Sequence, residues 1–353
     1  MWARCRYAGY VAMNFKLTAV FRLFGWGTVF GLLILASVEW ALHQDKFLQR
    51  YRSVFAAGRA MDKVEFIEAH APRLIFAGNS RMDNGVDPNA LMPVPAPSGQ
   101  AFNLGLPGAN VRVLDGLFRR FARDGLLGPG KIEYVVIGLD ESLLQAEQGL
   151  GYSVFFADRM ALWREGAYRD WLASVFRLWG YSTNLKELRE PEKALSFCRA
   201  SVGEVEPIGG GAAEHLGYRA GFSGKFQDAG QVQRQEETYD VLPDAQTVAY
   251  LFTWLDLLRE HGVHVAVAYP PLRDRTLLFN RPSSRPADPY RAIATLLAQR
   301  GIPAIVMDAN EWRDPADFIN AGHLNDRGAQ RYSRILAQHL TTLWPDLWGH
   351  ATP

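Results

Sequence analysis

The sequence predicts an α/β fold: a mostly parallel, five-stranded sheet in three layers, interrupted by a helical insertion and preceded by one membrane-spanning helix. Three observations predict it. The amino-terminal run is basic and apolar, short apolar strands then alternate with amphipathic helices, and that alternation stops for roughly a hundred residues near the middle. With 353 residues, 48% of them hydrophobic and 21% charged, the chain can bury a sizeable core, which excludes wholesale disorder. Thirty-eight Lys and Arg against 37 Asp and Glu leave a net charge of +1, too balanced for a general nucleic-acid binder. Two cysteines, Cys5 and Cys198, exclude a disulfide framework and the usual Cys-rich zinc sites.

The charge is uneven along the chain. Residues 1–38 carry four basic residues (Arg4, Arg6, Lys16, Arg22) and no acid, so the remainder carries 34 basic against 37 acidic residues, or −3. Residues 17–42 read LTAVFRLFGWGTVFGLLILASVEWAL, with Arg22 and Glu39 as the only charges. About 20 apolar residues are needed to cross the hydrocarbon layer. Arg22 and Glu39 sit where long side chains reach the interface, and Trp26 and Trp40 lie near the two ends, as interfacial aromatics do. Leu35-Ala36-Ser37 is a poor cleavage site, so an uncleaved anchor is expected over 17–42. The basic head favours a cytoplasmic segment 1–16 and an extracytoplasmic or periplasmic body, held by a single pass in the inner membrane. Residues 43–72 are expected to be a linker or helical stalk, and the body runs from 73 to 346. Gly27 and Gly31 form a small-xxx-small pattern suited to packing on another membrane helix.

In the body, strands are predicted at residues 73–77 (RLIFA), 101–104 (AFNL), 134–139 (YVVIGL), 264–269 (HVAVAY) and 304–307 (AIVM). Helical spacing covers 111–123, 245–261, 289–300 and 327–343. The alternation implies a sheet covered on both faces. Between about 141 and 243 the pattern gives way to aromatic-rich helical pieces, a glycine turn at Gly209-Gly210-Gly211 and a polar run over 227–237. This insertion leaves near the carboxyl end of the third strand, where open α/β sheets build their sites. A lid, a partner-docking surface or added bulk would each account for it.

Chemistry is expected at the strand ends. Ser80 follows the first strand in Gly78-Asn79-Ser80-Arg81, a strand-to-helix turn that exposes the serine oxygen and offers backbone N–H groups to an anion. His323 stands in Asn320-Ala321-Gly322-His323-Leu324-Asn325, between the last strand and the last helix. In a parallel sheet both segments reach the same edge. The remaining histidines show no metal-ligand spacing with acids, so no metal or cofactor is expected.

At these residues the chain resembles the SGNH (GDSL-like) hydrolase superfamily, and within it the membrane-anchored branch that serves acylation of cell-envelope polymers, including the D-alanyl-transfer protein of teichoic acids and the alginate O-acetylation proteins. The pieces that carry the resemblance are Gly78-Asn79-Ser80-Arg81 with Val86-Asp87-Pro88, then Phe102-Asn103-Leu104-Gly105-Leu106-Pro107-Gly108. Val136-Ile137-Gly138-Leu139-Asp140, Tyr269-Pro270-Pro271 and His323-Leu324-Asn325 with Gly328 complete them. The resemblance implies an SGNH/flavodoxin-like sheet with Ser80 as nucleophile and His323 as general base. It implies an oxyanion site at the N–H groups of Ser80 and Gly105. The chain departs from the family at three places: Asn79 stands where Gly-Asp-Ser has aspartate, Asp140 near an asparagine donor, and Asn320 where an aspartate precedes the histidine. The third triad member is therefore Asn320, or Asp317 three residues earlier.

The implied function is transfer of an acyl group, expected to be acetyl, through a serine acyl-enzyme to a polysaccharide acceptor of the envelope or a secreted polymer. The implied partner is a multispanning membrane-bound O-acyltransferase. A carbohydrate esterase and a catalytically silent scaffold for the acyltransferase remain the alternatives.

Overall fold

The computed structural model describes residues 25–91, 101–146, 151–182, 185–203, 215–223, 242–273, 289–320 and 322–348. The basic head with Cys5, the start of the expected anchor including Arg22, the Gly209–Gly211 turn and the 227–237 run lie outside the described residues. Among the described residues one helix, Gly25–Leu42, is long and apolar enough to cross a membrane, and only its last turn, at Glu39 and Leu42, touches the body.

Five strands form one parallel sheet in the order β2-β1-β3-β4-β5, with β1 at Leu74–Gly78, β2 at Ala101–Gly105, β3 at Tyr134–Gly138, β4 at His264–Ala268 and β5 at Ala304–Ile305. The register runs Leu74 to Ala101 and Tyr134, Tyr134 to His264, and Val267 to Ala304. Alternate residues of each strand face opposite sides. Ile75, Ala77, Val135, Ile137, Val265 and Val267 join one apolar cluster with the helices Ala56–His70, Val111–Arg123 and Ala245–Glu260. Leu74, Phe76, Tyr134 and Val136 join a second with Trp312, Phe318 and the closing helix Asp326–Leu343. Strands buried on both sides read as continuous apolar runs, which is why they are visible in the sequence.

Two elements add to the expected outline, one in its packing and one in its extent. The segment expected to be a linker or stalk contains the helix Ala56–His70, whose Met61, Val64 and Ile67 are buried in the first cluster. The last sheet strand covers only Ala304–Ile305. The chain then forms a two-stranded antiparallel ribbon, β6 at Phe318–Asn320 and β7 at His323–Leu324.

The insertion divides into two described parts. Short helices from Tyr152 to Ser201 pack against Val111–Arg123 and the Asp45–Tyr51 region, with Tyr152, Phe156 and Tyr181 in the first cluster. Residues 215–223 run separately, on the β2 side of the sheet, where Leu216 O accepts from Asn103 N at 2.9 Å. Gly217 there has φ +83°, and a side chain would strike the Asn103 carbonyl.

Close packing at Gly116 supplies a test. A methyl group on Gly116 would run into the Phe156 carbonyl, where the insertion's first helix meets Val111–Arg123. Gly116→Ala should destabilise the detergent-solubilised full chain by about 1–3 kcal/mol in denaturant unfolding, the usual cost of overpacking. An unchanged midpoint would mean the insertion does not dock there.

Candidate active site

The sheet order places β2 and β3 on either side of β1, and open parallel sheets bind ligands outside the carboxyl ends at such a divergence. Gly78 ends β1, and Asn79 caps the following turn of helix, Ser80–Asp83: its Oδ1 accepts from Arg81 N at 2.9 Å. That bond assigns the amide, so Nδ2 points the other way and donates to both Asp140 carboxylate oxygens at 2.9 Å and to Ser142 Oγ at 2.8 Å. Asp140, fully buried just past β3, also accepts from Ser142 Oγ at 2.7 Å and Leu143 N at 2.9 Å, and pairs with Arg81 at 3.2 Å. An aspartate at position 79 would face a second carboxylate in this buried network. Asn79 and Asp140, two of the departures from the resembled pattern, thus answer each other across the ends of β1 and β3.

Ser80 takes the first helical position, where its backbone N–H has no hydrogen bond among the described residues. Its Oγ lies 2.8 Å from His323 Nε2. On the far side of the ring, His323 Nδ1 lies 3.0 Å from Asn320 Oδ1, which also accepts from Gly322 N at 3.0 Å. Because the Gly322 N–H requires an oxygen at that atom, Nδ1 is the protonated ring nitrogen and Nε2 is free to accept from the serine hydroxyl. The β6–β7 ribbon sets this geometry, since Asn320 pairs directly with His323 across it. Ser80, His323 and Asn320 therefore form one hydrogen-bonded relay.

Asp317 is placed elsewhere. It is fully buried, but its carboxylate faces the closing helix, 2.9 Å from Arg331 and 3.1 Å from Arg327. Its carbonyl accepts from Asn325 N at 3.0 Å, and Gly328 packs so closely on that carbonyl that a side chain would clash. Asp317 thus anchors the end of the segment that carries His323.

Gly105 also differs from its expected role. Its N–H donates to Asn103 Oδ1 at 2.7 Å, and its carbonyl accepts from Lys63 Nζ at 2.6 Å. A Cβ at Gly105 would collide with the Asp83 backbone, so the residue lets β2 approach the serine helix closely. The Ser80 N–H has no partner among the described residues, whereas an acyl oxyanion held by Gly105 would require Asn103 to release it.

Sequence reasoning did not single out the ionic supports around the relay. Lys63, buried among apolar neighbours, lies 2.7 Å from Asp83 Oδ1, and Arg59 lies 2.8 Å from the same oxygen. Burial outweighs the pull of Asp83 and lowers the Lys63 pKa to about 8. A lysine in the middle of the apolar stripe Met61, Val64, Ile67 was the available signal. The 215–223 segment also closes on the site: Arg219 N donates to Asp83 O at 3.0 Å, while Tyr218 Oη and Ser223 Oγ each donate to Asp326 at 2.7 Å. It thereby bridges the helix that starts with Ser80 and the residue that starts the helix after His323.

Loss of solvent first, and the Arg81 guanidinium second, push the His323 pKa down to about 4; Asp140 and Asp83 oppose this only in part. The imidazole is therefore neutral at pH 7 and able to accept a proton. Its folded value lies below the ordinary 6.5, so its contribution to stability is complete above pH 6.5 and is lost as pH falls towards 4.

No protein-family model matches the chain, and no curated protein matches it.

The imidazole titration is directly measurable. Nuclear magnetic resonance of the ring should give a His323 midpoint near pH 4, and Asn320→Asp should raise it, because a carboxylate at Nδ1 favours imidazolium. A midpoint near 6.5 that ignores the substitution would mean the ring is solvated and not bonded to Asn320.

Proposed function

We propose that the protein is a membrane-anchored, extracytoplasmic O-acyl-transfer protein in which Ser80 carries the acyl group. The observation that carries this reading is the relay Ser80 Oγ, His323 Nε2, His323 Nδ1, Asn320 Oδ1 at the first residue of a helix and the carboxyl edge of a parallel sheet. On this reading Ser80 Oγ attacks the acyl carbonyl carbon and its proton passes to His323 Nε2. The tetrahedral oxyanion is met by the Ser80 N–H, and its collapse expels the donor's leaving group, which takes the proton back. A sugar hydroxyl then attacks the acyl-serine with His323 as base, regenerating Ser80. The acceptor is a polysaccharide of the envelope or a secreted polymer, the acyl group acetyl, and the donor side a multispanning membrane-bound O-acyltransferase.

The two apolar clusters formed by alternate strand residues support a three-layer, SGNH-like assignment of the sheet. The apolar helix Gly25–Leu42 supports a single pass in the inner membrane, with the body on the outer side as the basic head favours. If water replaces the sugar, the same relay makes an esterase. A silent polysaccharide-binding scaffold is the competing reading, favoured by the commitment of the Gly105 N–H to Asn103 and by an amide where a carboxylate would stabilise imidazolium better.

Turnover of an activated acetyl ester, with and without an oligosaccharide acceptor, separates these readings. Ser80→Ala should lose activity by on the order of a thousandfold. Asn320→Ala should lose on the order of a hundredfold by freeing the imidazole, and Asn320→Asp should gain. Asp317→Ala should leave the rate per folded molecule near wild type and lower the unfolding midpoint. Wild-type turnover no faster than that of Ser80→Ala would favour the scaffold; products formed by hydrolysis alone, whatever the acceptor, would favour the esterase.

A further inference from the structure

The helical part of the insertion is bonded to the end of the membrane-spanning helix. Glu39, in that helix's last turn, accepts from Arg177 N at 2.8 Å and from Leu178 N at 3.0 Å, and so caps the helix Arg177–Ser182 with both carboxylate oxygens. Four residues on, His43 Nε2 donates to Val175 O at 3.0 Å, while Nδ1 accepts from Arg159 at 3.2 Å. Arg50 donates to the carbonyls of Ala200 and Ser201.

These contacts fix a depth. Glu39 is the first charge after the uncharged run 23–38, and Trp40 beside it is an aromatic of the kind that favours the interface. The turn holding Glu39 and Trp40 therefore lies at the boundary of the hydrocarbon layer on the body's side. Whatever is bonded to Glu39 shares that depth.

The residues there are large, apolar and exposed. Phe176, Leu178 and Trp179 flank the two N–H groups that Glu39 accepts from, and each stays 45–52% exposed. Met160 adjoins the arginine bonded to His43. Trp163, exposed one turn further on, is in ring contact with exposed Tyr168. Single exposed apolar residues are ordinary on soluble proteins. Here six fall within twenty residues of sequence, and the segment is bonded to the span at Glu39 and to His43 just after it, beside a span whose residues 25–38 are all exposed. Trp and Tyr are the side chains that favour the membrane interface.

We infer that residues 159–182 form a collar that lies in the lipid interface around the end of the anchor, so that the body is held by a span and a surface patch together. The occupant of the patch is lipid, because Phe176, Leu178 and Trp179 are exposed at the point where the backbone is bonded to Glu39, the charge that ends the apolar run of the span. This rests on the anchoring reading and not on the acyl chemistry.

Nitroxide labels on the full chain in phosphatidylethanolamine–phosphatidylglycerol nanodiscs test it. Cys5 and Cys198 are first replaced by serine, and single cysteines are placed by Leu178→Cys, Trp163→Cys, Leu33→Cys in the span, and Leu296→Cys on the exposed side of the helix Pro289–Gln299. Labels at 178 and 163 should behave like that at 33, with frequent oxygen collisions and several-fold fewer collisions with a water-soluble nickel chelate than the label at 296. Nickel collisions at 178 and 163 equal to those at 296, with 33 in lipid, would overturn the collar alone. Exclusion of both reagents at 178 and 163 would mean that protein, a partner or a second copy, covers the patch, and would also overturn it. A label at 33 open to nickel would overturn the anchor and the collar together.

Discussion

The hydrogen bonds from Asn79 to Asp140 tie the end of β1 to the end of β3, and the remainder of the site is built out from that tie. Asn79 has three jobs that only an amide performs together. Its oxygen caps the serine helix, its nitrogen satisfies a buried carboxylate, and its neutrality avoids a second negative charge beside Asp140. Arg81 pairs with Asp140 out of water, and the same guanidinium helps keep His323 neutral. Asp140 is thus a structural acceptor.

A second constraint is that Ser80 and His323 are 243 positions apart and meet within a hydrogen bond. Both flanks of the His323 segment are pinned for this. Asp317 is held by Arg327 and Arg331 before the ribbon, and Asp326 is held by Tyr218 and Ser223 after it. The serine helix is pinned from below by Lys63 and Arg59 through Asp83, and from the insertion by Arg219 N on the Asp83 carbonyl. Buried ion pairs add little net stability but are costly to break singly, which suits them to fixing position.

The parallel strands and most helices were legible in the sequence because strands buried on both faces leave unbroken apolar runs and the helices keep a one-sided spacing. Ser80 and His323 were legible from their place at segment ends, and Asn320 only through the family resemblance, with Asp317 as its alternative. The β6–β7 ribbon was not, since three- and two-residue strands leave no period to read. Asp317 read as an alternative to Asn320 because sequence distance does not say which way a carboxylate turns; the arginines that claim it lie ten and fourteen residues further on. The division of the insertion was equally hidden. Aromatic residues such as Trp163 and Phe176 announce a need for apolar surroundings without naming them, and only the bonds of Arg159, Val175, Arg177 and Leu178 to Glu39 and His43 separate the part beside the apolar helix Gly25–Leu42 from the part beside Ser80.

The account stands on Ser80 Oγ being activated by a neutral His323. Intact-mass and peptide analysis of the full chain after brief exposure to an activated acetyl ester tests this most directly. The account predicts one acetyl increment, located on the peptide containing Ser80, formed in wild type and lost in His323→Gln with its fold retained. An increment on another residue, or one at Ser80 that forms as readily without His323, would contradict it.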